Sequence, residues 1–418
     1  MTSESLSLLR PTSIVVDAPP EPAVPDAVTE PAKRKMPSLP NPNLKLSRGA
    51  GSRGSTLVGL DIQPGYVSAV QARVNGSILV QRAAGAPLPA DTVREGEVID
   101  ESALAETLRE MFRDSRLDKR VRVGVANQRT VLRTLELPPI TDGKELATAV
   151  RFQAEDQIPM PLDSAVLDFH ALGVVDTPAG PRQRVIVVAA QRDMVERLLV
   201  AVRGAGLRPE AVDLSAFALI RSLHRADEEH AGRVLYLNVG GLTNMAIAEG
   251  TLCRFTRVVG GGLESIAADV AERHGIKLHE ARELLASVDL DEAAPSPPSG
   301  SDESALEAGL DGDQSQAPVE QPAIDVRPAL AGGVREIAGE VRNSLDFHRS
   351  QDGGGEVSSI VLSGPALEIS GFAHALQKEL RVPITPQTVG LLDEGSMGSV
   401  SAERLAVATG LAVAEAPR

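Results

Sequence analysis

The chain has no tryptophan, two tyrosines and seven phenylalanines, so aromatic residues make up 2% of its 418 positions. Binding single-stranded nucleic acid takes stacking platforms in a basic groove, and this composition supplies neither. Acids outnumber bases 57 to 42, which argues against broad contact with a phosphate backbone and predicts no nucleic-acid partner. One cysteine, Cys253, excludes intrachain disulfides and any multi-cysteine metal cage. The seven histidines are scattered, and none forms the paired spacing of a zinc site. No apolar run reaches the roughly 18 residues that a membrane helix needs. The amino-terminal stretch Leu6-Ser-Leu-Leu9 is short and ends in Arg10-Pro11, unlike a secretory leader. The expectation is a cytoplasmic protein whose membrane attachment comes through a partner.

The charge that is present is unevenly placed. Residues 1–55 hold nine prolines, five acids and seven bases, with no helical or strand period, and read as a disordered tail. Residues 287–326 hold ten acids, five prolines and no Lys or Arg, and read as an irregular acidic loop carrying most of the net charge of -15. The spacing of these acids does not fit a calcium loop. Glu155-Asp156 are helix neighbours that cannot face one another as a catalytic pair. Ser215 and Cys253 lack a nucleophile context.

Between these stretches strands alternate with helices. Thr56–Ile62, Tyr66–Val74 and Ser77–Gln81 form a meander through Gln63-Pro-Gly65 and Asn75-Gly76. Asp100 caps a helix with Leu104, Leu108 and Met111 on its apolar face. Strands follow at 121–125, 131–137 and 184–190, and helices at 141–158, 194–205 and 213–224. A second meander covers 234–259, with helices at 263–274 and 278–287, a long helix bearing Val334, Ile337, Val341 and Leu345, a strand at 359–363, and helices around Leu376 and over 402–414. The spacing predicts a mixed α/β chain of two similar halves.

Two segments align without a gap at an offset of 177 residues: Val58-Gly-Leu-Asp61-Ile-Gln63-Pro-Gly65-Tyr66 and Leu235-Tyr-Leu-Asn238-Val-Gly240-Gly241-Leu-Thr243. Each is a strand with Asp or Asn at its end, a tight turn, and a second strand. Two such turns across one cleft can aim backbone N–H groups at phosphates, and a carboxylate such as Asp61 can hold Mg²⁺ through water. Gly260-Gly-Gly262 precedes a helix and could approach a ribose, and Ser363-Gly364 follows a strand where an adenosine could pack. Asp61, Gln63, Gly65, Tyr66, Asn238, Gly240, Gly241, Thr243, Gly260, Ser363 and Gly364 are therefore the candidate ATP-binding residues. No catalytic residue is assigned, and Asp61 is the one candidate metal contact.

With Arg151-Phe-Gln-Ala-Glu-Asp-Gln-Ile-Pro-Met-Pro-Leu162, Arg133-Thr-Leu-Glu-Leu-Pro138 and Ser344-Leu-Asp-Phe-His-Arg-Ser-Gln351, the chain resembles the type IV pilus assembly protein PilM family, relatives of the cell-division protein FtsA. The resemblance implies an actin-like α/β fold: duplicated ribonuclease H-like lobes with an inserted FtsA-type subdomain. The expected layout is a tail over 1–55, the first lobe over 56–124 and 206–233, the insert over 125–205, the second lobe over 234–400, and a terminal helix and tail over 401–418. It also implies ATP and Mg²⁺ as cofactors and a bitopic inner-membrane partner of the PilN type, whose amino-terminal peptide docks at the inserted subdomain. Further implied partners are pilus motor components, with a homo-oligomer allowed.

Here the turns depart from the family pattern. Gln63-Pro64 replaces a glycine turn, and Pro64 removes an N–H. Asn238 stands where an Asp is usual, and Pro365-Ala366 follows Gly364. The implied reading is a scaffold with weak or absent ATP binding and no hydrolysis. The alternatives are an active ATP-hydrolysing actin-like protein and an FtsA-like division filament, against which the carboxy-terminal Ala-Val-Ala-Glu-Ala-Pro-Arg418 lacks a basic amphipathic helix.

Overall fold

The computed structural model describes residues 57–75, 77–225, 232–291, 324–351, 353–391 and 400–414. The tail and most of the acidic loop lie outside the described residues. The described start of that loop packs on the fold: Val288 and Leu290 lie against the second-lobe core, and Leu290 N–H bonds Ser370 O at 3.0 Å.

The first sheet opens with β1 (Val58–Gln63), β2 (Tyr66–Asn75) and β3 (Ser77–Pro87), an antiparallel meander. A small hairpin, β4 (Val93–Arg94) and β5 (Glu97–Val98), leads into α1 (Glu101–Ser115). The Asp100 side chain accepts the Ala103 N–H and caps α1. Next come β6 (Arg120–Val125), β7 (Val131–Leu137), α2 (Gly143–Gln157), β8 (Ala165–Thr177), β9 (Gly180–Gln191), α3 (Arg192–Gly204), β10 (Arg208–Leu214) and α4 (Ser215–Leu223). The second lobe runs β11 (Arg233–Val239), β12 (Thr243–Glu249), β13 (Leu252–Val259), α5 (Leu263–His274), α6 (Leu278–Ala286), α7 (Arg327–Ser350) and β14 (Ser359–Ser363). The described elements close with α8 (Phe372–Leu380), β15 (Ile384–Pro386), β16 (Gly390–Leu391) and α9 (Ala406–Ala412), of which β16 and α9 return to the first lobe.

The two main sheets share one topology. The first has the order β10-β6-β1-β2-β3-β16 and the second β13-β12-β11-β14-β15. In each, an antiparallel meander is extended by two parallel strands beside its first strand. The internal echo is thus a duplication, with one adjustment. Asp61 pairs with Ser68, seven residues on, whereas Asn238 pairs with Asn244, six residues on. The second hairpin is one residue shorter, so the gap-free alignment slips across the turn.

Helices α4 and α9 pack against each other between the two sheets. Their contact is close, because a Cβ at Gly410 would overlap the backbone carbonyl of Ala218. Arg221, buried on α4, donates to Gly410 O at 3.0 Å and to Asp213 at 2.6 Å. Buried Arg122 donates to Leu411 O and Val413 O, so two guanidinium groups occupy the exposed carbonyls at the end of α9.

Strands β7, β9 and β8 form a separate sheet in that order. One face packs on α2 through Leu135, Val185, Val187, Leu146 and Val150. The other turns Val166, Ile186 and Val188 into the first-lobe core. The layer is narrower than 125–205: α3 places Met194, Val195, Leu198 and Val202 in the first-lobe core, and β6 belongs to the first sheet. The second lobe likewise ends before 400, since β16 pairs with β3, and α9 covers β1, β2 and β6. The helix expected from Asp213 starts two residues later, because Asp213 and Leu214 finish strand β10.

Candidate functional site

The duplicated turns meet at the base of a cleft of about 450 Å³. From the first lobe, Asp61 lies in β1 two residues before its end at 4% exposure, and Gln63 Nε2 donates to its carboxylate at 2.7 Å. Burial pushes the Asp61 carboxyl up to about 6, only partly offset by the Gln63 hydrogen bond. Gly65 has φ of +80°, a left-handed conformation that glycine adopts freely at this turn.

The second turn lies directly against the first. A Cβ at Gly240 would overlap Gln63 Oε1, and one at Gly241 would overlap the Pro64 carbonyl. Part of its backbone is engaged: Gly240 N–H bonds Leu242 O at 2.9 Å, and Leu263 N–H at the start of α5 bonds Gly240 O at 2.8 Å. Donors spent inside the protein are not aimed at a phosphate.

Two ion pairs cross the rest of the cleft. Glu264 of α5 and Arg282 of α6 form a two-point pair, with Arg282 Nε donating at 2.9 Å, and Glu264 also touches the Gly65 turn. Glu368, in the short 3₁₀ turn Pro365–Glu368 after β14, binds Arg404 through two hydrogen bonds of 2.8 and 2.5 Å and accepts the Ser401 hydroxyl. Arg404 sits in a second 3₁₀ turn, Ala402–Leu405, and stacks on the Tyr66 ring at 4.5 Å from its centre. Its backbone carbonyl takes the Ser68 hydroxyl at 3.2 Å. Glu368 and Arg404 therefore tie a second-lobe turn to the first-lobe hairpin.

Of the sequence-predicted residues, Asp61, Gln63, Gly65, Tyr66, Gly240 and Gly241 line this cleft together. Asn238 and Ser363 lie beneath it, fully buried in register on neighbouring strands. Asn238 Oδ1, Asn244 Oδ1 and Ser363 Oγ have no hydrogen-bond partner. Thr243 donates its hydroxyl to Gly261 O at 2.6 Å and faces away from the cavity. Gly364, at φ of +102°, packs against Val239. Gly260 lies beside Gln128 and Glu95 instead. Glu264, Arg282, Glu368 and Arg404 were missed. Glu264 follows the Gly260-Gly-Gly262 turn at the opening of α5 and was findable as a first-turn acid. Arg404 and Glu368 have no local signal.

The charge of Asp61 gives a pH-dependent prediction. A carboxyl raised to about 6 from 3.8 binds its proton more tightly folded than unfolded, so its contribution to stability falls as pH rises between those values and stays low above them. Asp61→Asn removes that penalty while keeping an acceptor for Gln63. The expected result is a gain of about 1–3 kcal/mol over the native chain at pH 7.5, vanishing near pH 4. Thermal unfolding at the two pH values checks it, and equal midpoints at pH 7.5 would contradict the burial cost.

Two lobes of one topology, joined by packed helices below a cleft and carrying an inserted sheet, define the actin-like ATPase fold class. The family model for the type IV pilus assembly protein PilM matches residues 59–293, more than half of the chain. The chain belongs to that family. The solved PilM–PilN type IV pilus biogenesis complex is similar at a TM-score of 0.66 and 25% identity, covering 85% of this chain and 97% of the matched chain. More distant likenesses include the ethanolamine utilization protein EutJ from Carboxydothermus hydrogenoformans (TM-score 0.48, 14% identity, 87% and 91% covered). Another is MreB 5 of Spiroplasma citri bound to AMPPNP (TM-score 0.43, 12% identity, 85% and 94% covered). Among the described residues, no helix is long and apolar enough to cross a membrane, and no group of three or more metal-ligating side chains occurs.

Proposed function

We propose that this chain is a docking scaffold in type IV pilus assembly: a cytoplasmic protein held at the inner membrane by the amino-terminal peptide of a PilN-type bitopic partner, which it links to the assembly motor. What carries the reading is the similarity, over 85% of the chain, to the partner of PilN in a solved complex. The inserted sheet supports it. Among the described residues, strand β8, 13 residues long, pairs with β9 alone, leaving one edge for an extended segment.

In this reading the cleft contributes closure rather than hydrolysis. What supports weak or absent ATP binding is the lining: Asp61, Glu264 and Glu368 would face a triphosphate, and the two arginines beside them are already paired with carboxylates. In this reading either arginine would have to leave its carboxylate to meet a phosphate.

The test is binding by the purified full chain. Immobilised chain is expected to retain the partner's amino-terminal peptide at micromolar concentration, while calorimetric titration with ATP and Mg²⁺ gives no saturable heat. No peptide retention would sink the docking scaffold. Tight ATP binding lost in Asp61→Ala would show a working nucleotide site.

A further inference from the structure

The face of β8 turned toward the first lobe carries an unbalanced charge. Along that face Val166 and Leu172 pack with the first-lobe core, and between them come Asp168 and His170. Across the sheet, Asp168 is opposite Val188 and His170 is opposite Ile186, both core residues. The Asp168 carboxylate thus sits in largely apolar surroundings.

Its one hydrogen bond comes from the backbone N–H of the next residue, Phe169, at 2.8 Å. No basic side chain among the described residues pairs with it. The charged group that acts on it is Asp213, which has the same sign and is itself engaged by Arg221. Burial and this repulsion push the Asp168 carboxyl up to about 6. Two residues along, His170 Nε2 is buried with no partner among the described residues. Buried polar groups are ordinarily satisfied, so a partly buried carboxylate without a cation and an idle ring nitrogen on one strand face need a reason. Beside them runs the open edge of β8, whose backbone groups can add a strand.

We propose that Asp168 is a specificity-determining residue for a docked partner segment. The segment runs in extended form along the edge of β8 and places an ammonium or guanidinium group against this carboxylate, with His170 accepting a second N–H. The inference rests on the docking reading above and adds the chemistry that the inserted sheet selects. An uncharged or acidic segment would leave Asp168 unpaired and bind less well.

The probe is a synthetic ten-residue copy of the amino terminus of the partner retained in the preceding experiment, titrated into the full-length native chain and into Asp168→Asn. Asparagine keeps the shape and the acceptor for Phe169 N–H, and an unchanged melting midpoint or a higher one verifies folding. The expected result is binding at least ten-fold weaker for Asp168→Asn. The gap should close with a peptide whose Lys and Arg are replaced by Gln, or, if the cation is the terminal amine, with an acetylated peptide. Equal affinity of native and Asp168→Asn chains for the unmodified peptide overturns the role of Asp168 and leaves docking intact. No binding to the native chain overturns the docking reading and this inference with it.

Discussion

Arg221→Ala is expected to destabilise the protein by about 3–5 kcal/mol, among the largest effects of any single replacement. The Arg221 side chain is 6% exposed and that of Asp213 is 0% exposed, with 2.6 Å between them. Removing the guanidinium strands a carboxylate in the core and strips Gly410 O of its donor at the same time. The loss should appear as a lower urea midpoint with an unchanged slope. A double replacement, Arg221→Met with Asp213→Leu, should recover most of it, because the pair owes much of its apparent worth to the cost of leaving one member alone. A loss under about 1 kcal/mol for Arg221→Ala would mean that Arg122, which also acts on Asp213, takes over the charge.

The second large effect lies across the same helix contact. Gly410→Ala adds one methyl group, and there is no room for it: the added carbon would overlap the Ala218 carbonyl. Backbone cannot rotate aside as a flexible side chain can, so α4 and α9 must move apart. Overpacking of this kind costs about 3 kcal/mol or more in a tight site. Both helices contact their neighbouring sheets, so the strain should lower the melting midpoint of the molecule as one transition. Two separate transitions, one near the native midpoint, would show that the lobes unfold independently of the contact.

Much of the fold was legible in short-range pattern. The meanders, the helix capped by Asp100 and the duplicated strand ends each rest on residues close in sequence, where alternation, turns and caps operate. Strand β8 escaped although Leu167-Asp-Phe-His-Ala171 alternates, because the stretch is short and its polar face also carries Val166 and Leu172, which pack into the first lobe while α2 covers the other face. Asp213 read as the first residue of a helix, yet it lies near the end of a strand, where its carboxylate serves Arg221. The strands β15 and β16 are too short to show a period. In the cleft, the first turn was readable because its residues are contiguous. The Glu368–Arg404 pair joins side chains 36 positions apart whose meeting with Tyr66 depends on the return of the chain to the first lobe.

That return sets the order in which the molecule can be finished. The strand that begins the first lobe, Val58–Gln63, leaves the ribosome well before the helix that covers it, Ala406–Ala412. Until then α4 covers just part of that side of the first sheet, and the nascent chain must carry the remaining apolar surface through the synthesis of the entire second lobe. Assembly is therefore closed by a single late event, and a ribosome that stops short of Ala406 releases two incomplete lobes rather than one finished and one missing.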